Sequence, residues 1–167
     1  MTHFKKQIVV LLALGVFTIS CKEATDKKRE DAEIASIAFK NDIADKVFQH
    51  YNHIKTALTK GDVQEAKSGG KMLSETISNN YLDISNLSKE IATSENIEAQ
   101  QKAFSKLTAA IQPFLESNIS EGEIYKQFCP MAFNNEGAYW FSKEENIANP
   151  YFEGKMLTCG SVKEVIK

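Results

Sequence analysis

The sequence predicts a mainly α-helical protein, an antiparallel bundle of three or four helices with an irregular, aromatic-rich C-terminal lobe of short strands and turns. Two observations predict this architecture. Apolar residues recur every three or four positions through the first two thirds of the chain, which is the period of a helix with one buried face. After Asn118 that period is lost, and aromatic residues, glycine, proline and asparagine become frequent. A lobe packed on a bundle buries the apolar residues of both parts.

The first two helices are predicted from apolar spacing and from capping residues. The first helix has its apolar residues at steps of three or four, with one longer interval: Ile34, Ile37, Ile43, Val47, Tyr51, Ile54 and Leu58. Gly61 ends it as the glycine after the C-cap. Asp62 and Glu65 then form a capping-box-like start for the second helix. The pair Gly69-Gly70 inside that helix predicts either a kink or a close helix crossing.

A short helix is expected next, followed by a long one. Ile84, Leu87 and Ile91 form the short helix or the entry to the long one, for which Ser94 is the expected N-cap. The apolar face of the long helix consists of Ile97, Phe104, Leu107, Ile111, Phe114 and Leu115. Pro113 should bend this helix or end its regular hydrogen bonding. In the lobe, which starts at about residue 119, turns are expected at residues 134–137 and at Asn149-Pro150.

The N-terminus has the pattern of a lipoprotein signal. Two lysines precede a ten-residue apolar run, residues 8–17, which is too short to span a bilayer. Residues 18–21, Thr-Ile-Ser-Cys, resemble a lipobox, so residues 1–20 are expected to be cleaved and Cys21 to be lipidated. This predicts a lipid-anchored protein of the cell envelope, periplasm-facing or associated with the outer membrane. The alternative is an ordinary secretory signal that leaves Cys21 as a free thiol.

Charge and composition limit the rest of the chain to one domain and a few classes of function. Residues 21–31 are charged and predict a flexible tether, and residues 32–167 are expected to form a single domain. The net charge is −2 and no basic stripe is present, which argues against a nucleic-acid partner. No catalytic motif of the protease, hydrolase, P-loop or dinucleotide-binding type occurs, so the protein is predicted not to be an enzyme.

Cysteine and methionine carry the chemistry that remains. Without Cys21 only two cysteines are left, and each has a methionine close by, in Cys129-Pro130-Met131 and in Met156-Leu157-Thr158-Cys159. Thiolates and thioethers are soft ligands that favour Cu(I). Residues two apart in an extended segment, or three apart in a helical turn, share a face, so all four sulfurs can serve one ion.

Two alternatives to this metal site remain open. Cys129 and Cys159 can instead form a disulfide that staples the lobe in an oxidising compartment, with Met131 and Met156 as core residues. His50 and His53, three residues apart on the first predicted helix, can face a common ligand, but two histidines on a polar helix face are more often solvated.

The C-terminal residues resemble the family called domain of unknown function 3347. The resemblance is carried by three segments, namely Tyr125–Ala132 with its Cys-Pro-Met, Ala138–Trp140, and Asn146–Gly160 with its Asn-Pro-Tyr and its Met-Leu-Thr-Cys-Gly. The preceding helices, from about Asn41 to Ser117, also fit the family's pattern.

The resemblance implies a function by association. Members of that family are envelope lipoproteins or secreted single domains, and they occur fused or adjacent to membrane-fusion components of copper, silver and other heavy-metal efflux systems. The implied role is to bind or hand over a soft ion such as Cu(I) through Cys129, Met131, Met156 and Cys159, with an efflux adaptor as the protein partner. The competing expectation is a non-catalytic structural or adaptor domain, stapled by a Cys129–Cys159 disulfide, that binds such a partner.

Overall fold

Four long helices make up most of the fold. The computed structural model describes residues 36–77, 80–152 and 154–167, so the predicted signal peptide, Cys21 and the tether lie outside the described residues. The helices are α1 (Asp42–Thr59), α2 (Val63–Thr76), α3 (Leu82–Thr93) and α4 (Ile97–Asn118). Each packs on the next and α4 also packs on α1, which confirms the predicted antiparallel bundle. None of the described helices is long and apolar enough to cross a membrane.

The first helix begins later than its apolar pattern predicted. Asn41 is the N-cap of α1, and its side chain accepts a hydrogen bond from the backbone N–H of Ala44 at 3.0 Å. The preceding Ala38–Phe39 forms a short strand, β1, so Ile37 is not helical, and Ile43 is 55% exposed instead of buried. The apolar spacing would extend the helix towards the N-terminus, but Asn41 is a strong N-cap residue and the helix begins directly after it.

The turn into α2 follows the prediction, and the two glycines of α2 mark a close crossing. Gly61 is left-handed (φ 68°), and Asp62 caps α2 by accepting a hydrogen bond from Glu65 N–H. A Cβ on Gly69 would lie 2.9 Å from Ile54 of α1, and one on Gly70 would lie 2.7 Å from the Ser88 carbonyl of α3. Glycine is therefore required because two neighbouring helices approach the backbone of α2.

The long helix α4 starts two residues later than predicted and continues through its proline. Asn96, not Ser94, is the N-cap, and its side chain accepts a hydrogen bond from Ala99 N–H at 2.9 Å. Ser94 instead terminates α3. Pro113 lies inside α4 and the helix runs on for five more residues, to Asn118, so Pro113 does not end it.

The C-terminal lobe, described for residues 119–152 and 154–167, contains four strands. The strand β2 (Ile119–Glu121) pairs antiparallel with β1, and β3 (Ile124–Cys129) lies between β4 (Ala138–Ser142) and β5 (Ser161–Ile166), antiparallel to both. A four-residue helical turn, Ala132–Asn135, separates β3 from β4, and a 3₁₀ turn, Gly154–Thr158, precedes β5. The irregular lobe with strands and turns is confirmed, although β1 and β5 were not anticipated.

Buried polar contacts join the lobe to the bundle. The Tyr51 hydroxyl of α1 lies 2.6 Å from Thr108 Oγ1 of α4 and accepts a hydrogen bond from Phe141 N–H of β4 at 3.1 Å. Burial raises the pKa of Tyr51, so the phenol stays neutral. Gln101 of α4 donates to the Pro150 carbonyl at 3.0 Å. The Tyr51 contacts hold β4 against the helices, and the Gln101 contact holds the loop that leads to the second cysteine.

Candidate functional site

The two cysteines of the lobe lie side by side. Cys129 ends β3 and is fully buried, whereas Cys159 follows the 3₁₀ turn and is partly exposed. Their Sγ atoms are 3.0 Å apart, and both are free thiols, one donating a hydrogen bond to the other. The structure thus brings together two residues that are 30 positions apart in the sequence.

Strand register explains why they meet. In the pairing of β3 with β5, Phe128 is opposite Ser161, so the residues that flank these partners, Cys129 and Cys159-Gly160, are brought to the same end of the sheet. Gly160 has a φ of +144°, and a Cβ there would lie 2.9 Å from Trp140 Cη2 and 3.0 Å from the Phe128 carbonyl oxygen. Only glycine lets the chain pass this close to Trp140 and β3.

Asn149 holds the segment that carries Cys159. This side chain is fully buried, and its Nδ2 donates to the Cys159 carbonyl at 2.8 Å. Its Oδ1 accepts from Tyr151 N–H at 2.8 Å, and its own N–H donates to the Leu157 carbonyl at 2.8 Å. The asparagine therefore ties the backbone on both sides of the 3₁₀ turn, and it fixes where Cys159 lies relative to β3.

Gln127 holds the loop before Asn149. It lies two residues before Cys129 in β3, is fully buried, and donates from Nε2 to the carbonyls of Glu144, Glu145 and Asn146 at 2.9, 2.9 and 3.4 Å. These carbonyls belong to a loop without regular secondary structure, so the glutamine satisfies acceptors that no helix or strand satisfies.

The two methionines of the predicted site differ in position. Met131 is 48% exposed and lines a groove of about 760 Å³ between α4 and the turn after β3, and neither cysteine lines that groove. Met156 is partly buried within the 3₁₀ turn, and its carbonyl accepts a hydrogen bond from Cys159 N–H at 3.0 Å. Met156 is thus linked to Cys159 through a backbone hydrogen bond, whereas Met131 lines the groove.

The surroundings favour a protonated thiol at Cys159. The hydrogen bond with Cys129 is the main cause that raises the pKa of Cys159, with desolvation and the neighbouring sulfur's charge adding to it. The pKa of Tyr151 is also raised, mainly by burial. A soft cation that binds here must therefore displace the thiol protons.

The turn after β3 has a strained backbone that the sequence did not reveal. Phe133, Asn134 and Asn135 all have left-handed φ values, 52°, 58° and 71°. Asparagine tolerates this region but phenylalanine rarely adopts it. The Phe133 ring packs edge-on against Tyr151, with centroids 5.2 Å apart, which offsets part of the strain. The Asn-Asn-Glu-Gly sequence predicted a turn at residues 134–137, and the structure has a turn there between β3 and β4. The sequence did not predict that the backbone of this turn is left-handed.

His50 and His53 lie on α1. His53 Nε2 is 2.8 Å from Glu65 Oε2 of α2, and partial burial together with the charges of His53 and Lys46 lowers the pKa of His50. Across the described parts of the chain, no group of three or more His, Cys, Asp or Glu side chains is arranged to hold a metal ion.

The fold and the site define a class: a four-helix bundle with a small antiparallel sheet that carries a neighbouring pair of cysteines. Residues 47–122 match the family described as "Protein of unknown function (DUF3347)". The match runs from α1 to the end of β2, so it confirms the resemblance to this family for the helices. The Cys and Met segments, residues 125–160, lie outside it. No curated protein matches the chain, and no solved structure matches it.

Proposed function

We propose that this protein is an envelope lipoprotein that binds a soft metal ion such as Cu(I) through Cys129 and Cys159, and hands it over within a metal efflux or homeostasis system. Met131 and Met156 are the candidate additional ligands. The observation that supports the proposal is the position of the two thiols, 3.0 Å apart, with one buried and the other at the surface.

The ligand chemistry fits a soft ion better than a hard one. Among the described residues, no third His, Cys, Asp or Glu side chain is grouped with the two cysteines, and two thiolates are a donor set that selects Cu(I) over calcium or magnesium. With metal–sulfur bonds of about 2.3 Å, two thiolates on one ion lie roughly 3.8 to 4.6 Å apart, depending on the angle at the metal. Starting from 3.0 Å, the pair of sulfurs therefore needs to open by about 0.8 to 1.6 Å. A side-chain rotation of the partly exposed Cys159 supplies this while Cys129 stays in the strand.

Anchoring and partner follow from the N-terminal pattern and the resemblance. A lipid on Cys21 and the tether of residues 21–31 allow the domain to reach a membrane-bound protein. The partner proposed here is an efflux adaptor, because the Cys-Pro-Met and Met-Leu-Thr-Cys-Gly segments resemble a family associated with such systems. The proposed role is binding and transfer, without catalysis.

A Cu(I) titration of the reduced full chain, carrying Cys21→Ser and competing with a chelator, tests the proposal. We expect one ion to bind per chain, with at least about a hundredfold weaker binding after Cys129→Ser or Cys159→Ser. Met131→Leu and Met156→Leu remove a thioether at nearly constant volume and report whether either sulfur completes the site. Met72→Leu in α2 is the matched control and should leave the affinity unchanged. Weak binding that the cysteine substitutions do not alter would overturn the proposal.

The distance between the Sγ atoms of Cys129 and Cys159 also supports a second function, that of a structural adaptor domain held by a disulfide. At 3.0 Å the sulfurs are closer than a shared metal ion allows, and Cys129 is fully buried, as expected for the partners of a structural disulfide. The lobe would then be a stapled adaptor domain that acts through its surface. Intact mass of freshly isolated envelope protein, after thiol alkylation without reductant, separates the two functions. Two alkylated thiols at these positions contradict the stapled form.

A further inference from the structure

We propose that Cys129 and Cys159 form a thiol–disulfide switch, in which Cys159 reacts first with an external disulfide and Cys129 then closes the internal bond. The switch deepens the proposed function, because it would turn metal binding off when the pair is oxidised. That regulatory consequence rests on metal binding, whereas the exchange reaction itself does not.

The difference in burial assigns the two roles. An external disulfide has to bring one of its sulfurs into line with the attacking thiolate, so the attacking residue must be accessible. Cys159 is partly exposed beside the 3₁₀ turn, whereas Cys129 has no exposed surface. Cys129 can therefore reach only the sulfur that is already beside it, that of Cys159, which is the position of a resolving thiol.

Backbone restraints on both sides hold the sulfurs together. Cys129 lies in the central strand of the sheet, between β4 and β5. On the other side, Asn149 binds the Cys159 carbonyl, and the N–H of Cys159 donates to the Met156 carbonyl. Two reactants held at contact distance react as a unimolecular pair with a high effective concentration, so the second step is expected to be much faster than the first.

The reaction balances with a disulfide, R–S–S–R, as the oxidant. The Cys159 thiolate attacks one sulfur, the S–S bond of the oxidant breaks, and one thiolate leaves as a mixed disulfide forms. The Cys129 thiolate then attacks Sγ of Cys159, the mixed disulfide breaks, and the second thiolate leaves. The two protons lost by the cysteines neutralise the two leaving thiolates. The protein dithiol is oxidised by two electrons and the external disulfide is reduced to two thiols.

Oxidation removes the ligands that the ion needs. Metal binding requires deprotonated sulfur, and neither sulfur of a disulfide can become a thiolate without reduction. The two states exclude each other, because a sulfur–sulfur bond of about 2.05 Å leaves no space for an ion between the atoms. A bound ion in turn protects both thiols from exchange.

The first arm of the test follows exchange with oxidised glutathione in the full chain carrying Cys21→Ser. With Cys129→Ser, Cys159 should accumulate as a stable mixed disulfide. With Cys159→Ser, the buried Cys129 should react at least about tenfold more slowly. In the protein with both cysteines, acid quenching and peptide mass mapping should find transient glutathione only on Cys159, followed by the internal disulfide. Equal labelling of the two cysteines, or no internal disulfide, overturns the switch even if a variant folds poorly.

The second arm tests positioning and separates the two proposals. Asn149→Ala removes the hydrogen bond to the Cys159 carbonyl and should slow ring closure about tenfold, while formation of the mixed disulfide is unchanged. Asn146→Ala is the matched control, because among the described contacts Asn146 contributes only its backbone carbonyl. Cu(I) binding to reduced but not to oxidised protein supports both proposals. Exchange without Cu(I) binding contradicts only the metal function. Equal Cu(I) binding in both states contradicts ligation by Cys129 and Cys159 and the proposed regulation, whereas the exchange reaction itself is judged by the first arm.

Discussion

The bundle and the lobe each contain a fully buried glutamine that donates to three backbone carbonyls, and the two differ in what they hold. Gln100 in the first turn of α4 donates to the carbonyls of Val63, Ile91 and Ser94, at 3.1 to 3.2 Å. These groups lie at helix ends that apolar packing already holds together. Gln127 holds a loop that has no regular structure of its own and that leads to Asn149.

The comparison shows two ways to stabilise a chain. In the bundle, fully buried apolar side chains from all four helices form most of the contacts, and the hydrogen bonds of Gln100 add to them. In the lobe, buried amide side chains and a cysteine pair replace the missing secondary structure. Changes in the bundle away from its contacts with the lobe should therefore alter stability alone, and changes in the lobe should also alter the chemistry of the thiols.

The largest expected effect is on the bundle. Leu107 of α4 is fully buried, and Leu107→Ala should lower the free energy of unfolding by about 2 to 5 kcal/mol, because it leaves a cavity in the core. The loss should be the same in oxidised and reduced protein, as measured by urea denaturation. The neighbouring exposed Lys106→Ala is the control and should cost less than about 0.5 kcal/mol. A loss that depends on the redox state would contradict the separation of the two regions.

Oxidation of the cysteine pair is the next largest effect and belongs to the lobe. A disulfide that closes the loop between Cys129 and Cys159, with a sequence separation of 30, should raise the free energy of unfolding by about 3 to 4 kcal/mol. Urea denaturation with and without reductant measures it. The double variant Cys129→Ala/Cys159→Ala is the control and should not respond to reductant. Equal stability of the oxidised and reduced proteins would show that the lobe is held without this bond.

Substitution of the two buried glutamines, Gln100 and Gln127, compares the two regions directly, and its expected effect on stability is of intermediate size. Gln100→Leu and Gln127→Leu should each lower the free energy of unfolding by about 1 to 3 kcal/mol, since each removes a buried donor that serves three backbone carbonyls. Only Gln127→Leu should also speed alkylation of Cys159 by iodoacetamide in the reduced protein, because it frees the loop before Asn149. The same rate for both variants would contradict the link between that loop and the thiols.

The helices were predictable because their signals are local. The buried face Val47, Tyr51, Ile54 and Leu58, the cap at Asp62 and the stop at Gly61 depend on residues within one or two turns. The errors were local as well: the period that extended the first helix back to Ile37 carries no information about the N-cap at Asn41, and Ser94 was preferred over Asn96 two residues later. Apolar spacing does not show at which of several nearby capping residues a helix begins.

The sequence predicted which cysteines form the site, but it did not predict the backbone contacts that position them. The sequence suggested that Cys129 and Cys159 meet, but their distance depends on the pairing of Phe128 with Ser161, and β5 carries no strong strand signal. The sequence placed Asn149 only in a turn, whereas its side-chain amide donates a hydrogen bond to the carbonyl of Cys159, ten residues later in the chain. Such contacts depend on the packed backbone, which local patterns do not encode. The exposure of Met131 was missed for the same reason.

The smallest expected effect lies where the two regions meet, at Lys55 of α1. Its ammonium group is buried, 3.3 Å from Ser142 Oγ and 3.5 Å from Glu144 Oε2. Burial lowers the pKa of Lys55 from its ordinary 10.5, and the charge of Glu144 only partly opposes this. The unfolded chain therefore binds this proton more tightly than the folded protein, so the contribution of Lys55 to the free energy of unfolding rises with pH between the lowered pKa and 10.5.

Lys55→Met keeps the aliphatic stem and removes the proton, so it isolates this effect. From about pH 7 to about pH 10, wild type should gain stability relative to Lys55→Met, as measured by urea denaturation of the oxidised protein. The other titrating groups are common to both proteins and cancel in the difference. Lys102→Met, at an exposed position of α4, is the control and should give a difference that is flat with pH. A flat difference for Lys55→Met too would mean that the ammonium group is solvated, and that the junction between bundle and lobe at this point is open to water.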